Sequence, residues 1–440
     1  MAEPLRIALA GLGTVGAGLV RLLEANGALI ERRAGRKVAI VAVSARDRTK
    51  DRGVDLAPYE WEDDMTALAG RADVDVVVEL VGGADGPALT TARGALKAGK
   101  ALVTANKAMV AHHGMELAEL AESRCVALKF EAAVAGGIPV IKGLREGAAA
   151  NRIERVYGIL NGTCNYILST MEATGREFCE VLAEAQALGY AEADPAFDVD
   201  GVDAAHKLAI LAAIAFGARI DFPAVDIGGI ARVRAADIAR AAALGYRIRL
   251  LGIADCTDGS RLARGGLFQR VQPYLVPLHH PLAAVEGPTN AVVAEGNFAG
   301  RLLFEGAGAG DGPTASAVAA DIIDIARGDV GAPFSVPVAD LEAREAADAG
   351  HRTSRAYLRF TVNDRPGVLA EIAAAMRDGG VSIESLIQQG RPEEGGPDAG
   401  EVLVAMVTHE GPEANVALAL ELLEGSQSLT EPPLVMRLLG

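Results

Sequence analysis

The stretch LRIALAGLGTVGAGLVRLLEA, Leu5 to Ala25, admits few folds. An apolar run of strand length ends in GLGTVG, and the spacing then changes to that of a helix, with Val15, Leu19 and Leu22 or Leu23 on one side. A G-x-G-x-x-G between a strand and a helix is a dinucleotide-binding turn with a physical reason for each glycine. Gly11 allows the tight turn, Gly13 lets the backbone approach a pyrophosphate, and Gly16 permits close helix packing. Thr14 and Val15 open the helix, where free N–H groups and a partial positive charge receive the anion.

The chain has 440 residues, too many for one ordinary core, so several units are expected. KVAIVAVSA, VDVVVELVGG and ALVTANKAMV continue the first as apolar strands followed by turns, predicting an α/β unit over residues 1–135 with a doubly wound, Rossmann-type parallel sheet. Where an acid would hold a ribose in an NAD-selective site, the chain reads SARDR. Arg46, with Arg48 and Lys50 near it, suits a 2′-phosphate and favours NADP; Asp47 leaves NAD open, and a solvated loop is the competing account of the arginines. Gly83 passes under the cofactor in this reading. Lys107, at the carboxyl end of a strand, faces the crevice where ligands of open sheets bind.

GYAEADPAFDVDGVDAAHK, Gly189 to Lys207, packs Glu192, Asp194, Asp198, Asp200 and Asp203 ahead of a lysine and an apolar run. Asp200 reads as a helix N-cap, and Asp203 and Lys207, four apart, share one face of that helix. A capped helix with one surface ion pair would explain those two alone. The remaining carboxylates form a field of like charge that calls for a cation among them. Upstream, RIERVYGILNGTCNYIL reads as a strand entering a helix through Asn161, Gly162 and Thr163, a helix start suited to a carboxylate. Cys164 reads as a buried structural thiol, and His279 and His280 as solvent or packing residues.

GILNGTCNYIL, ALGYAEADP and DGVDAAHKLAIL closely resemble the catalytic region of homoserine dehydrogenases, and the resemblance covers nearly the whole chain. It implies an NAD(P)-dependent interconversion of L-homoserine and L-aspartate 4-semialdehyde. Lys207 is then the acid/base, Asp203 orients it and binds substrate, and Lys107 assists near the nicotinamide. Glu192 receives the substrate ammonium, Asp198 supports that site, and Thr163 lies on the substrate side. Gly189 and Gly310 lie near the cofactor. Glu131 and the main-chain carbonyls of Val134, Gly136 and Ile138 hold a sodium ion, a set of oxygen ligands typical of hard cations. The resemblance also implies an α+β catalytic and dimerisation domain over 136–305, a return segment 306–340 that completes the first domain, and a homodimer or homotetramer.

Residues 341–354 are charged and alanine-rich and read as a linker. From 355 to 440 the pattern is βαββαβ, a ferredoxin-like arrangement. NDRPGVLAEIAAAM resembles the start of an ACT domain, with Pro366 at a first helical position and Gly367 where a ligand meets backbone; the implied effector is an amino acid, threonine. A chain cut at about Ala349 keeps every residue named for chemistry and is expected to stay active. The net charge of −16 argues against nucleic acid, four scattered cysteines indicate neither zinc nor a disulfide framework, and no apolar run is long enough for a membrane span. A cytoplasmic enzyme is expected. Two rivals remain: an aspartate-semialdehyde dehydrogenase with Cys164 as nucleophile, which a phosphate-independent assay excludes, and a non-catalytic amino-acid sensor, against which the intact Glu192, Asp203 and Lys207 argue.

Overall fold

A computed structural model describes residues 2–256, 266–388 and 401–440. The first sheet has six strands, all parallel, in the spatial order Glu60–Trp61, Val38–Ser44, Leu5–Ala10, Val76–Glu79, Ala101–Thr104 and Leu128–Lys129. Chain order reverses beside Leu5–Ala10, so the crevice of a doubly wound sheet opens at the carboxyl ends of the central strands. The run Val76–Glu79 is buried at every position because helices cover both faces of such a sheet. The helix Asp311–Ala326 returns to this unit and packs along Thr14–Ala34. The contact is close: a Cβ on Gly18 would stand 2.8 Å from the carbonyl oxygen of Asp311.

The second sheet runs Gly300–Ala307, Thr289–Gly296, Ile153–Ile159, Tyr246–Asp255, Phe268–Pro277, Leu434–Leu438, Ala356–Asn363, Glu401–Thr408 and Ile383–Gln388. In this row the first five strands belong to the middle of the chain and the last four to the tail, and a tenth, Asp226–Ile227, pairs in parallel with Phe268–Pro277. The four tail strands, with helices Val368–Asp378 and Glu413–Glu421, make the expected βαββαβ unit. The helix Val368–Asp378 has Gly367 as its N-cap, so Pro366 stands before the helix and not at its first position.

The tail is not a detachable unit. Its last strand lies between Phe268–Pro277 and Ala356–Asn363, parallel to the former through Tyr274–Arg437 and Leu275–Leu438. Charged side chains cross the same boundary. Arg270, 4% exposed, donates to Glu413 at 2.9 Å, and Arg359 and Tyr357 both donate to Asp237, which is fully buried. Residues 341–354 are likewise tied down, by bridges from Glu342 to Ala218 and from Ala346 to Leu267 and by the bidentate pair of Arg352 with Asp255. A cut at Ala349 therefore strips a neighbour from Phe268–Pro277 and exposes a strand edge, so the expectation that the shortened chain stays active no longer holds.

The helix Val202–Phe216 backs the middle strands. Every residue from Asp203 to Ile214 is buried, the polar Asp203, His206 and Lys207 of its first turns included. Asp200 does not cap it. Asp200 closes the preceding short helix Ala196–Val199, and the N-cap is Gly201 at φ 88°, a conformation in which aspartate would be strained. No helix among the described residues is long and apolar enough to cross a membrane.

Candidate active site

The glycine loop is built as its sequence predicts. A Cβ on Gly11 would lie 2.8 Å from the Leu80 carbonyl oxygen, and one on Gly16 only 2.2 Å from the oxygen of Gly11, whereas nothing stands within 4 Å in front of Gly13. Gly13 and Thr14 are exposed, Val15 is half-buried, and the helix start has neither a side-chain cap nor an acid in its first turn. Its free N–H groups form an open cradle that fits a pyrophosphate. Gly83 borders the crevice at φ 89°, its carbonyl accepting from Asn106 Nδ2 at 2.7 Å. Gly310, at φ 121°, is the N-cap of the return helix.

At the end of the second strand Asp47 is turned inward on its own turn, accepting from the Thr49 N–H and hydroxyl at 2.8 and 2.7 Å. Arg52 donates to the Leu12 carbonyl at 2.9 Å and, with Arg48, lies over the Trp61 ring. Arg46 is exposed and has no ion pair among the described residues. The loop therefore presents a guanidinium outward while its carboxylate is occupied.

Across the crevice the buried helix start concentrates charge. Asp203, 3% exposed, accepts from Lys107 Nζ at 2.9 Å on one oxygen, and from Lys207 Nζ at 2.7 Å and Asn161 Nδ2 at 2.8 Å on the other. A carboxylate buried this deeply survives only if paired and hydrogen-bonded. Burial pushes its pKa up, but the two ammonium groups outweigh that and hold it well below the usual carboxylate range. For Lys107 burial again works against the charge, and Asp203, Asp198 and Glu192 together more than offset it, raising its pKa. Lys107 comes from the cofactor-side helix Lys107–Ser123 and Lys207 from the middle unit, so one carboxylate joins the two halves of the crevice.

Asn161 is the residue that sequence reasoning placed but did not credit. Its amide also donates to Asp198 at 2.8 Å, and its oxygen caps the N–H of Cys164, so it holds two carboxylates beside each other. Burial and the neighbouring Asp203 raise the pKa of Asp198. The signal was an asparagine at a strand-to-helix junction, which reads first as a cap. Thr163 donates to the Tyr190 carbonyl at 2.8 Å, tying the acidic loop to this helix start. Gly189, at φ 77°, and Glu192 lie on that exposed loop, and the Glu192 carboxylate, though near enough to Lys107 to favour its charge, makes no hydrogen bond or close ion pair among the described residues. Phe197 is exposed near Lys107, and His206 is buried, bonded to His112 at 3.2 Å and stacked on Phe222. Burial and His112 lower the His206 pKa to about 4. Cys164 is fully buried against the Asp198 carbonyl, where burial pushes its thiol pKa well up, a poor setting for a nucleophile. Of the two histidines read as packing or solvent residues, His280 is buried, bonded to Tyr157, and caps a short helical turn through the Leu282 N–H.

Glu131 is 2% exposed and accepts the N–H groups of Ile141 and Lys142, both at 2.9 Å. Its pKa is raised to about 7 by burial and by Asp321. Ala135 and Gly136 both have positive φ, which swings the carbonyls of the 134–138 turn; the Ile138 carbonyl accepts from Val140 N–H, and those of Val134 and Gly136 have no donor among the described residues. Two buried carboxylates, Glu131 and Asp321, face one ammonium, that of Lys142, which also pairs with Asp324. This excess of negative charge and the free carbonyls fit a hard monovalent cation.

A doubly wound parallel sheet with an uncapped glycine-loop helix start, facing a crevice lined by two lysines on one carboxylate, defines a dinucleotide-dependent oxidoreductase. The homoserine dehydrogenase family model matches residues 139–323, the homoserine dehydrogenase NAD binding domain 11–131, and the ACT domain 356–424. Homoserine dehydrogenase of Neisseria gonorrhoeae is 43% identical over 99% of this chain and 99% of its own length. The crystal structure of a homoserine dehydrogenase from Thiobacillus denitrificans, 40% identical, covers 99% of this chain and 98% of its own at a TM-score of 0.90. A hyperthermophilic archaeal homoserine dehydrogenase in complex with NADPH covers 73% of this chain and 97% of its own at a TM-score of 0.62 and 26% identity. The chain belongs to the homoserine dehydrogenase family.

Proposed function

We propose that the chain interconverts L-homoserine and L-aspartate 4-semialdehyde with NADP, and that threonine restrains it through the ACT domain. The observation that carries this reading is the Asp203 carboxylate shared by Lys107 and Lys207 at the mouth of the cofactor crevice. When bound, the nicotinamide donates or accepts the hydride at the carbon bearing the substrate oxygen. The chain's task is the proton. In the reducing direction Lys207 gives a proton from Nζ to that oxygen, and in the oxidising direction it takes one back. Asp203 holds Lys207 by one oxygen and Lys107 by the other, leaving further ammonium hydrogens for substrate. Glu192, unpaired on its exposed loop, receives the substrate ammonium, with Asp198 behind it. Thr163 and the helix start at Gly162 face the substrate carboxylate.

Arg46 supports NADP, since a guanidinium matches a phosphate and Asp47 beside it is occupied by Thr49. The archaeal relative bound to NADPH supports the same choice. Glu131 with the carbonyls of Val134, Gly136 and Ile138 holds sodium, and the working form is a homodimer or homotetramer in the cytoplasm.

The test is homoserine oxidation followed by nicotinamide absorbance with each nucleotide, in phosphate-free buffer. Turnover with NADP exceeding that with NAD supports the reading, and a strict need for phosphate overturns it. Threonine titrated against the full chain should inhibit without competing with homoserine; purely competitive inhibition would place threonine in the substrate pocket instead.

A further inference from the structure

We propose that Asn290 is a positioning residue for Lys207, acting through the main-chain carbonyl of Leu160. The inference rests on the proposed role of Lys207. The Leu160 oxygen accepts two hydrogen bonds, from Lys207 Nζ at 2.7 Å and from Asn290 Nδ2 at 3.0 Å. With Asp203 holding a second Nζ hydrogen at 2.7 Å, two acceptors set where the ammonium points, and the third hydrogen is left for the substrate oxygen. Of those two acceptors, Asp203 sits on the same helix as Lys207. Leu160 does not: it stands just past the strand Ile153–Ile159, and a side chain from the neighbouring strand Thr289–Gly296 orients its carbonyl.

Asn290 is gripped for this task. It is 1% exposed, and a Cβ on Gly308 would fall 2.1 Å from its Cγ and 2.2 Å from its Nδ2, so its amide lies flat on a residue that must be glycine. Gly308 is itself pinned from the other side, since a Cβ on Gly136 would meet its oxygen at 2.5 Å. The return loop that leads to Gly310 is thereby packed in series with Asn290, Leu160 and Lys207. One fact argues against Asn290 as mere filling. Its Oδ1 is buried with no partner, and an apolar side chain serving only to fill the space would strand no acceptor. What asparagine adds is the N–H to Leu160.

The titratable groups around that carbonyl are Lys207, Asp203 and, through Asp203, Lys107, with Asp198 across Asn161. Two variants of the full chain test the idea beside Lys207→Met. Asn290→Leu keeps the branching and the heavy-atom count, though with a bulkier side chain against Gly308, and removes the donor. It should lower kcat by roughly 10- to 100-fold, as displacement of a reacting group does, with KM for homoserine within about threefold and NADPH affinity by fluorescence titration unchanged. Asn290→Asp donates to Leu160 only as the neutral acid, so its kcat relative to the parent should recover as pH falls, whereas that of Asn290→Leu should not. Should Asn290→Leu fail to fold, the pH recovery of Asn290→Asp decides alone. Variants with kcat within twofold of the parent at every pH overturn the proposal, as does an equal, pH-independent loss in both accompanied by a lowered melting temperature. A near-normal Lys207→Met overturns the reading beneath it; an inactive Lys207→Met beside a fully active Asn290→Leu overturns this inference alone.

Discussion

Asp203→Asn is the perturbation that most directly probes the crevice. The amide is isosteric, but it keeps one acceptor where the carboxylate serves three donors at 2.7 to 2.9 Å. Its new N–H groups must face either an ammonium or the Asn161 amide. Each lysine–carboxylate attraction is gross about 6 kcal/mol at an effective dielectric constant near 20, most of it offset by the cost of burial. Breaking a buried pair from one side costs about 3–5 kcal/mol net, and that is the expected loss of stability. Lys107, about a third exposed, can swing toward water; Lys207 remains held by Leu160 without its counter-charge. Homoserine turnover should fall on the order of 10²- to 10⁴-fold, followed as NADPH formation. The stability deficit carries its own signature. The Asp203 pKa is depressed in the folded chain, so its contribution is fully present above the ordinary carboxylate range and is lost only as pH falls toward the lowered value. The difference in unfolding free energy between parent and variant should be flat from pH 8 to 5 and shrink below about pH 4. A kcat within threefold of the parent, or a deficit that changes between pH 5 and 8, would refute the shared-carboxylate account.

Three further outcomes are expected. Glu192→Gln should raise KM for homoserine more than it lowers kcat, because an exposed, unpaired carboxylate contributes uniform binding of the ammonium; equal effects on both would move Glu192 into the chemistry. Arg46→Ala should weaken NADP more than NAD in direct titrations, and unchanged selectivity would reduce the SARDR turn to a solvated loop. His206, with its pKa lowered to about 4, refuses a proton that the unfolded chain accepts near pH 6.5, so the parent should lose on the order of 3 kcal/mol as pH falls between those values. His206→Phe should flatten that part of the stability profile, and an unaltered slope would place the titration elsewhere.

Local pattern displayed the elements and several of the side chains that gather in the crevice, while the roles proposed for them came from the family resemblance. The Gly11–Gly16 loop, the lysine at the end of a parallel strand and the i,i+4 pair of Asp203 and Lys207 are short-range features, and short-range sterics and spacing are what a sequence displays directly. The βαββαβ order of the tail was legible for the same reason. What only the tertiary structure decided was which distant groups meet. That Lys107, almost a hundred residues earlier, shares Asp203 with Lys207 depends on how two units dock, and no periodicity encodes that distance. The Asp200 cap failed because Gly201 could take a positive φ that aspartate resists, a choice settled by the turn out of Ala196–Val199. The tail looked separable because residues 341–354 read as a charged, alanine-rich linker, yet Leu341 is buried in the core and the tail's last strand lies inside the second sheet. Sheet neighbours are joined by backbone hydrogen bonds, which any residue but proline can donate, so side-chain pattern does not reveal which strand will lie beside which.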